Sequence, residues 1–340
     1  MINEQWKSGA VGMQAESATI EKEYRAAQTG CVMIDASAWG RLTFTGRDRV
    51  DFLQRMSTND LLQLAAGQGA GTVFTTPIAR IVDRTVVYVR AGDVLMLTSR
   101  GNQSRVAQWL RKYIFFNDDV QIKDATGETG TISLYGAAAH QVISGMTNED
   151  LSALPLHHWR AAQIAGTEVM IARADPLAGG GFHLICDRAA QPGVWQALLE
   201  AGVAPLSEET YQVLRVEAGQ PEFGRELGAE YIPLEANLWN DVSFKKGCYT
   251  GQEIIARMES RQKLAKRLVG LRFDAPVTLP ASLWVDDHEA GVVTSVAHSP
   301  ALGWIGLGYL KSTGGAEAQV VQSRCADRTV PAAVSALPMK

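Results

Sequence analysis

The feature that most constrains the fold of this chain is a change of hydrophobic period near residue 268. Upstream, apolar runs of strand character at 31–35, 40–45, 71–74, 81–89, 94–98, 130–135, 168–172 and 182–186 are interleaved with stretches at helical spacing. Those stretches are 48–56, 103–113, 191–201 and 207–218, and Val50, Leu53 and Met56 share one face of the first. Downstream, only short strand-like segments occur, at 270–273, 282–285, 291–295 and 305–310, separated by Pro, Gly and Asp. The pattern predicts an α+β body followed by a small antiparallel barrel or sandwich. Strands and helices do not alternate in a strict βαβ rhythm, which argues against a doubly wound sheet.

A chain of 340 residues, 46% of them apolar, can bury enough core for two or three domains. Its net charge of -4 supplies no general attraction to nucleic acid or anionic membrane, so any such binding has to come from a local patch. Residues 1–23 carry Glu4, Glu16, Glu21 and Glu23 and lack both the apolar run of a signal peptide and the acid-poor, Arg-rich pattern of a transit peptide. The longest apolar runs, such as 85–89 and 94–97, fall far short of the roughly 20 residues needed to cross a bilayer. A cytoplasmic protein without a membrane span is expected. The four cysteines, Cys31, Cys186, Cys248 and Cys325, form no C-x-x-C pair, so no disulfide framework, no metal site and no iron-sulfur ligation by this chain alone is expected.

Chemistry concentrates in one segment. Thr250-Gly251-Gln252-Glu253 has the S/T-x-x-E form of a capping box and precedes Ile254, Ile255 and Met258 at helical spacing. A helix starting there would bring its N-terminal amides near Cys248, with Lys245 and Lys246 just upstream, and both influences favour a thiolate. Each residue also has a plain structural use: free cysteine is commonly a small buried apolar side chain, and a capping box needs its carboxylate for the helix alone. Beyond 253, Arg257, Arg261, Lys263, Lys266 and Arg267 make a basic face, partly offset by Glu253 and Glu259. It is either a solvated surface or an attraction for an anionic tail, an acidic partner or RNA, and no RNA-binding signature accompanies it, so direct nucleic-acid binding is not expected. His157-His158 lacks a partner at ligand spacing, and the glycines 179–181 are not followed by a helix that would complete a phosphate cradle.

Lys246-Gly247-Cys248-Tyr249-Thr250-Gly251-Gln252-Glu253 resembles the signature of the YgfZ family, folate-binding relatives of the glycine-cleavage T-protein. Leu214-Arg-Val-Glu-Ala-Gly219, Phe223-Gly224, Glu226, Pro233-Leu-Glu-Ala236, Val32-Met-Ile-Asp-Ala-Ser37 and Ser57-Thr-Asn-Asp60 are similar to the same relatives, as are Gly291-Val-Val-Thr-Ser295 and Ile305-Gly-Leu-Gly308. The resemblance implies a three-domain T-protein-like ring with a central folate channel and a C-terminal antiparallel β-barrel. By that analogy residues 1–48 and 136–230 form a discontinuous first domain, 49–135 and 231–263 an inserted one, and 264–340 the barrel. It implies tetrahydrofolate or a one-carbon derivative as cofactor, with Asp83, Arg215, Glu217, Lys246, Tyr249, Gln252 and Glu253 as candidate binding residues. Cys248 is the candidate catalytic residue, as nucleophile, transient cluster ligand or redox group.

The implied function is that of a folate-binding accessory protein supporting iron-sulfur protein assembly or maintenance, including tRNA-modification enzymes, with client or assembly proteins as partners. The alternatives are a tetrahydrofolate-dependent aminomethyl transferase and a scaffold that no longer binds folate. Three departures favour the accessory role. The Asp-Asp pair of T-proteins is here Asp83-Arg84, and the adjacent arginine is expected to lower the Asp83 pKa and suit it to binding rather than proton transfer. An Asn-Ala is replaced by Ser99-Arg100. Gly179 stands where the resemblance places the glutamate that recognises the pterin. Arg215 and Glu217, two apart on a helix, are expected to point in different directions.

Overall fold

The computed structural model describes residues 5–261, 263–312, 320–326 and 328–340, with side chains of the first helix described from Ser17 onward, so Glu4 and the Glu16 side chain fall outside the described residues. The period-2 runs assemble into two open sheets. A six-stranded sheet has the order Ala204–Pro205, Val32–Asp35, Thr129–Tyr135, Gly180–Asp187, Thr167–Leu177 and Trp159–Ile164. A five-stranded sheet has the order Gly69–Thr75, Ile81–Val89, Val94–Arg100, Trp39–Thr45 and Gln121–Asp124. Strand Gly180–Asp187 is buried at every position but its last, because both of its faces are covered.

One face of the six-stranded sheet is covered by helices Ala139–Thr147 and Gln191–Glu200, where Ile143, Val194 and Leu198 meet Ile132, Leu134 and Leu184. The other faces the five-stranded sheet: Val86, Tyr88, Leu95 and Leu97 pack on Met170, Ala172 and Ile185. Helices Arg49–Met56 and Gln103–Arg111 close the outer side of the five-stranded sheet through Phe52, Leu53, Val106 and Leu110. The hairpin Thr167–Leu177 to Gly180–Asp187 turns through Ala178 and Gly179, both at positive φ (49° and 98°), the primed geometry that two-residue hairpins favour.

From Lys266 the chain forms a closed antiparallel barrel of six strands, Lys266–Phe273, Gly303–Lys311, His288–Ser299, Ala281–Val285, Val320–Arg324 and Thr329–Ser335. Closure leaves no unpaired strand edge. Val216 on helix Glu208–Ala218 and Val73 and Ile81 of the five-stranded sheet share an apolar cluster with Leu268, Ile305 and Tyr309 of the barrel. Tyr231 stacks on Tyr309 with centroids 3.8 Å apart, and the Lys266 ammonium lies 4.3 Å from the Tyr231 centroid.

The mixed α and β body and the C-terminal barrel expected from periodicity are both present. Sheet membership, however, divides the chain elsewhere than at 48/49 and 135/136. Strand Trp39–Thr45 pairs with Val94–Arg100, so the five-stranded sheet begins before residue 48, and Thr129–Tyr135 pairs with Val32–Asp35 in the six-stranded sheet. Register is set by cross-strand partners that local spacing does not reveal. Residues 5–29 are a helix, Gln5–Thr29, where the sequence reads only as polar. Its described apolar contacts come from its end, Tyr24, Ala26 and Ala27, too few residues to display a period. Among the described residues, no helix is long and apolar enough to cross a membrane.

The helix Glu208–Ala218 is capped by Ser207, whose Oγ accepts from Thr210 N, and ends at Gly219 with φ 69°. Near its end the buried Arg215 joins three parts of the molecule. Its guanidinium pairs with Glu226 at 3.0 Å, donates to the Gln220 carbonyl at 2.7 Å and reaches Ser295 Oγ on the barrel at 2.8 Å. Both members of the pair are buried, so removing one leaves an uncompensated charge. Arg215→Met is therefore expected to lower unfolding free energy by about 3–5 kcal/mol, measured by urea denaturation.

Candidate functional site

A cavity of about 380 Å³ opens where the inner faces of the two sheets diverge toward helix Glu208–Ala218 and the loop 220–227. The alternation of strand Ile81–Val89 turns Arg84 and Val86 into it, and Asp83 to the opposite face. The six-stranded sheet supplies Tyr135, Asp175 and His183, and the helix supplies Glu208, Tyr211, Gln212 and Arg215. Trp39, Tyr135, Tyr211 and Phe223 give the wall its aromatic area. Trp39 and His183 meet edge-on at 5.2 Å. A second cavity of about 350 Å³ adjoins the first at Arg84, Asp175, Gln220 and Pro221, and is otherwise bounded by Asn59, His157, Asn240, Asp241 and the glycine strand 69–71.

Arg84 dominates the electrostatics between them. Its guanidinium is 2.8 Å from Asp175 and 2.7 Å from Asp241. Burial pulls the guanidinium pKa down, but the two carboxylates outweigh it and raise the value. Burial alone would raise Asp175, yet the facing Arg84 charge holds it at about 2, so this carboxylate is ionised at neutral pH. Burial lowers His157, and it lowers His183 to about 4, which keeps the ring beside the cavity neutral. His183 Nδ1 shares a hydrogen bond with Ser133 Oγ at 2.9 Å, whereas the buried His157 Nδ1 has no hydrogen-bond partner among the described residues.

Of the residues singled out from sequence, Arg215 lines this cavity. Asp83 lies behind its wall: Ser99 N and Oγ donate to the Asp83 carboxylate at 3.1 and 2.5 Å, and Ser99 itself faces the cavity. The expected lowering of the Asp83 pKa by Arg84 is reversed. Neighbours on a strand point apart, so burial dominates and Asp83 is pushed up to about 6 despite the bonds from Ser99. Glu217 faces away from the cavity toward the first helix and the barrel, accepting from Tyr24 Oη at 3.2 Å and from Ser299 Oγ. Arg215 and Glu217 thus diverge as helical spacing requires.

The segment 246–253 lines neither cavity. Lys246 is buried and its ammonium donates to the carbonyls of Gln54, Ser57 at 2.7 Å and Asn59 at 2.8 Å, which ties the segment to the end of helix Arg49–Met56. Burial lowers its pKa to about 8. This cation is committed to carbonyls rather than to the neighbouring thiol. Tyr249 packs with Ala79, Ile232, Leu234 and Ile255, beneath the Lys246 ammonium at 5.1 Å.

The helix begins at Gln252, one turn position later than a Thr250 cap requires. Gly251 carries the first acceptor, from Ile255 N, and Thr250 uses its carbonyl to accept from Thr75 Oγ1 at 2.6 Å. Gly251 has φ 88° and a Cβ there would lie 2.7 Å from Thr75 Oγ1, so only glycine fits. Gln252 is half-buried, Glu253 is exposed on the helix and Cys248 is exposed. Lys266 and Arg267 belong to the first barrel strand, which divides the basic face expected along one helix.

Sequence reading passed over Arg84 as a functional residue, and also Asp175, Asp241, His157 and His183. Their partners come from separate segments, so no local spacing links them. The period of strand 81–89 was the available signal, since it already places residues 83 and 84 on opposite faces.

Residues 4–246 match the family model described as the GCVT N-terminal domain, and residues 266–340 match the glycine cleavage T-protein C-terminal barrel domain. The chain belongs to the glycine-cleavage T-protein family. A T-protein relative from Rubrobacter xylanophilus, named as an aminomethyltransferase, is 32% identical over 334 residues, covering 96% of this chain and 87% of its own. A chloroplastic Arabidopsis thaliana protein named as a transferase is 34% identical over 283 residues, covering 83% of this chain and 66% of that protein. The crystal structure of the aminomethyltransferase T of the Bartonella henselae glycine cleavage system shares the T-protein fold, with a TM-score of 0.82 at 20% identity over 94% of this chain and 89% of that one.

The raised Asp83 pKa has a definite consequence. Between about pH 4 and 6 the native chain keeps a proton that the unfolded chain has released, so the group's contribution to stability is full below about pH 4 and is lost as pH rises to 6. Asp83→Asn, which does not titrate, is expected to gain on the wild type by on the order of 2–3 kcal/mol across that interval and to run parallel to it above pH 6. Urea midpoints of the two proteins at pH 4, 5, 6 and 7 measure this.

Proposed function

We propose that this T-protein relative binds a reduced folate in the cavity between its two sheets and acts as an accessory protein of the YgfZ type rather than as an aminomethyl transferase. The observation that carries the folate reading is the polarity of the cavity. Its inner end combines aromatic walls with an ionised carboxylate, Asp175, suited to a flat heterocycle that donates N–H bonds. Arg100 and Arg225, also on its lining, keep 42% and 44% of their side chains exposed. They are paired with Glu208 at 2.8 Å and Glu222 at 3.2 Å, and such solvent-facing pairs exchange for a ligand carboxylate at little cost, about 0–1 kcal/mol. A pterin joined to a glutamate tail has this distribution of groups, so the residues present fit tetrahydrofolate or a one-carbon derivative.

The same geometry argues against aminomethyl transfer. Catalysis of proton transfer at neutral pH needs a base with a pKa near 7. Asp175 is held at about 2, Asp83 is raised to about 6 but lies behind Ser99 and outside the cavity lining, and Arg84 stands where the resemblance places the second acid of the T-protein pattern. The exposure of Cys248, on a segment bolted down by Lys246, Tyr249 and Gly251 and outside the cavity lining, supports a role toward another macromolecule. Iron-sulfur client or assembly proteins are the proposed partners, following the resemblance of residues 246–253.

Calorimetric titration with tetrahydrofolate is expected to give micromolar affinity, weakened about tenfold in Arg100→Gln/Arg225→Gln when the ligand carries a polyglutamate tail; absence of any binding removes the folate reading. Cys248→Ala is expected to change stability by no more than about 0.5 kcal/mol, as surface substitutions do. It should leave folate affinity within twofold and yet fail to restore iron-sulfur enzyme activity in cells lacking the protein. Full restoration by this variant would remove the thiol from the function.

A further inference from the structure

Three carboxylates line the main cavity, and two of them are occupied at its mouth. Glu208 pairs with Arg100 and accepts from Gln212, and Glu222 pairs with Arg225 and accepts from the same Gln212. Asp175 differs. It stands where the two cavities adjoin, and its side chain keeps 29% of its surface accessible. A carboxylate has about four acceptor positions, and one oxygen of Asp175, Oδ2, receives Arg84 at 2.8 Å. Acceptor capacity therefore remains toward the cavity.

Position 179, by contrast, is turned away. Gly179 has φ 98°, which disfavours any side chain, and a Cβ built on it points at Ala137, 3.4 Å from its Cα, a residue that lines neither cavity. Asp175 precedes it by four residues on the same hairpin and does face the cavity. Arginine at position 84 is the matching half of this arrangement, since an acid there would meet both Asp175 and Asp241 at contact distance.

We propose that Asp175 is the residue that selects the ligand's heterocycle, accepting the paired N–H donors of a 2-amino-4-oxopyrimidine ring while Arg84, beside it on the cavity lining, holds its Oδ2. The assignment rests on the folate reading. Bidentate acceptance by an ionised carboxylate is selective because a ring lacking the 2-amino group leaves a desolvated lone pair unmatched, a loss on the order of ten- to hundredfold in affinity.

The test compares 5,8-dideazafolate with its 2-desamino-2-methyl analogue by calorimetry, on the wild-type chain and on Asp175→Asn, with a thermal melt of each protein. The wild type is expected to prefer the amino compound at least tenfold, and Asp175→Asn to reduce that preference below threefold, chiefly by weakening the amino compound. Equal affinity of the wild type for both compounds overturns the role of Asp175 while leaving folate binding intact, and this arm does not depend on the variant folding. A folded Asp175→Asn that keeps the full preference overturns it as well. Failure of the wild type to bind either compound overturns the folate reading itself.

Discussion

The ion pairs of Arg84 with Asp175 and Asp241 are the constraint on which the centre of the molecule depends. They join the five-stranded sheet, the six-stranded sheet and the segment that crosses to the barrel, where the apolar packing of the two sheets gives way to cavities. Burying a guanidinium costs several kcal/mol unless its charge and donors are met, so two carboxylates from different segments are needed and the three parts must arrive together. Arg215 repeats the device one layer further out, linking its helix, the loop 220–227 and the barrel. Between these two arginines lies the main cavity, and both line it. The groups that hold the units together are thus also groups that line the main cavity.

The segment 246–253 lies apart from both cavities and is fixed by its own packing. Lys246 closes the carbonyl end of a helix, Tyr249 fills a core, and Gly251 permits a close approach to the strand end at Thr75. Each of these residues fixes the backbone on either side of Cys248, and the thiol itself stays in solvent. The segment is thus a rigid mount for an exposed thiol, set apart from both cavities.

Legibility from sequence followed locality. Strands such as 81–89, a largely apolar run, and helices such as 207–218, with one apolar face, were readable because each pattern is displayed by a single stretch of chain. The first helix was not: among its described residues the apolar contacts come from Tyr24, Ala26 and Ala27, too few to display a period. Asp83 was read as an acid weakened by its neighbour, whereas strand geometry sends the two side chains apart and burial decides the pKa. His157 looked partnerless for the same reason that Asp175 went unnoticed: their neighbours lie more than 60 residues away in the chain or on other strands.

By itself, the sequence determined the alternation of strands and helices, the change to a barrel near residue 268 and the start of a helix within a residue or so of Gln252, all consequences of interactions within a few residues. Which strands became neighbours, which face of Ile81–Val89 met the cavity and which carboxylate was left with acceptors to spare were decided only in the tertiary structure. The physical reason is that charge and desolvation act through space. A pKa of about 2 for Asp175 and about 6 for Asp83 reflects which groups surround each carboxyl after folding, and those groups come from every part of the chain.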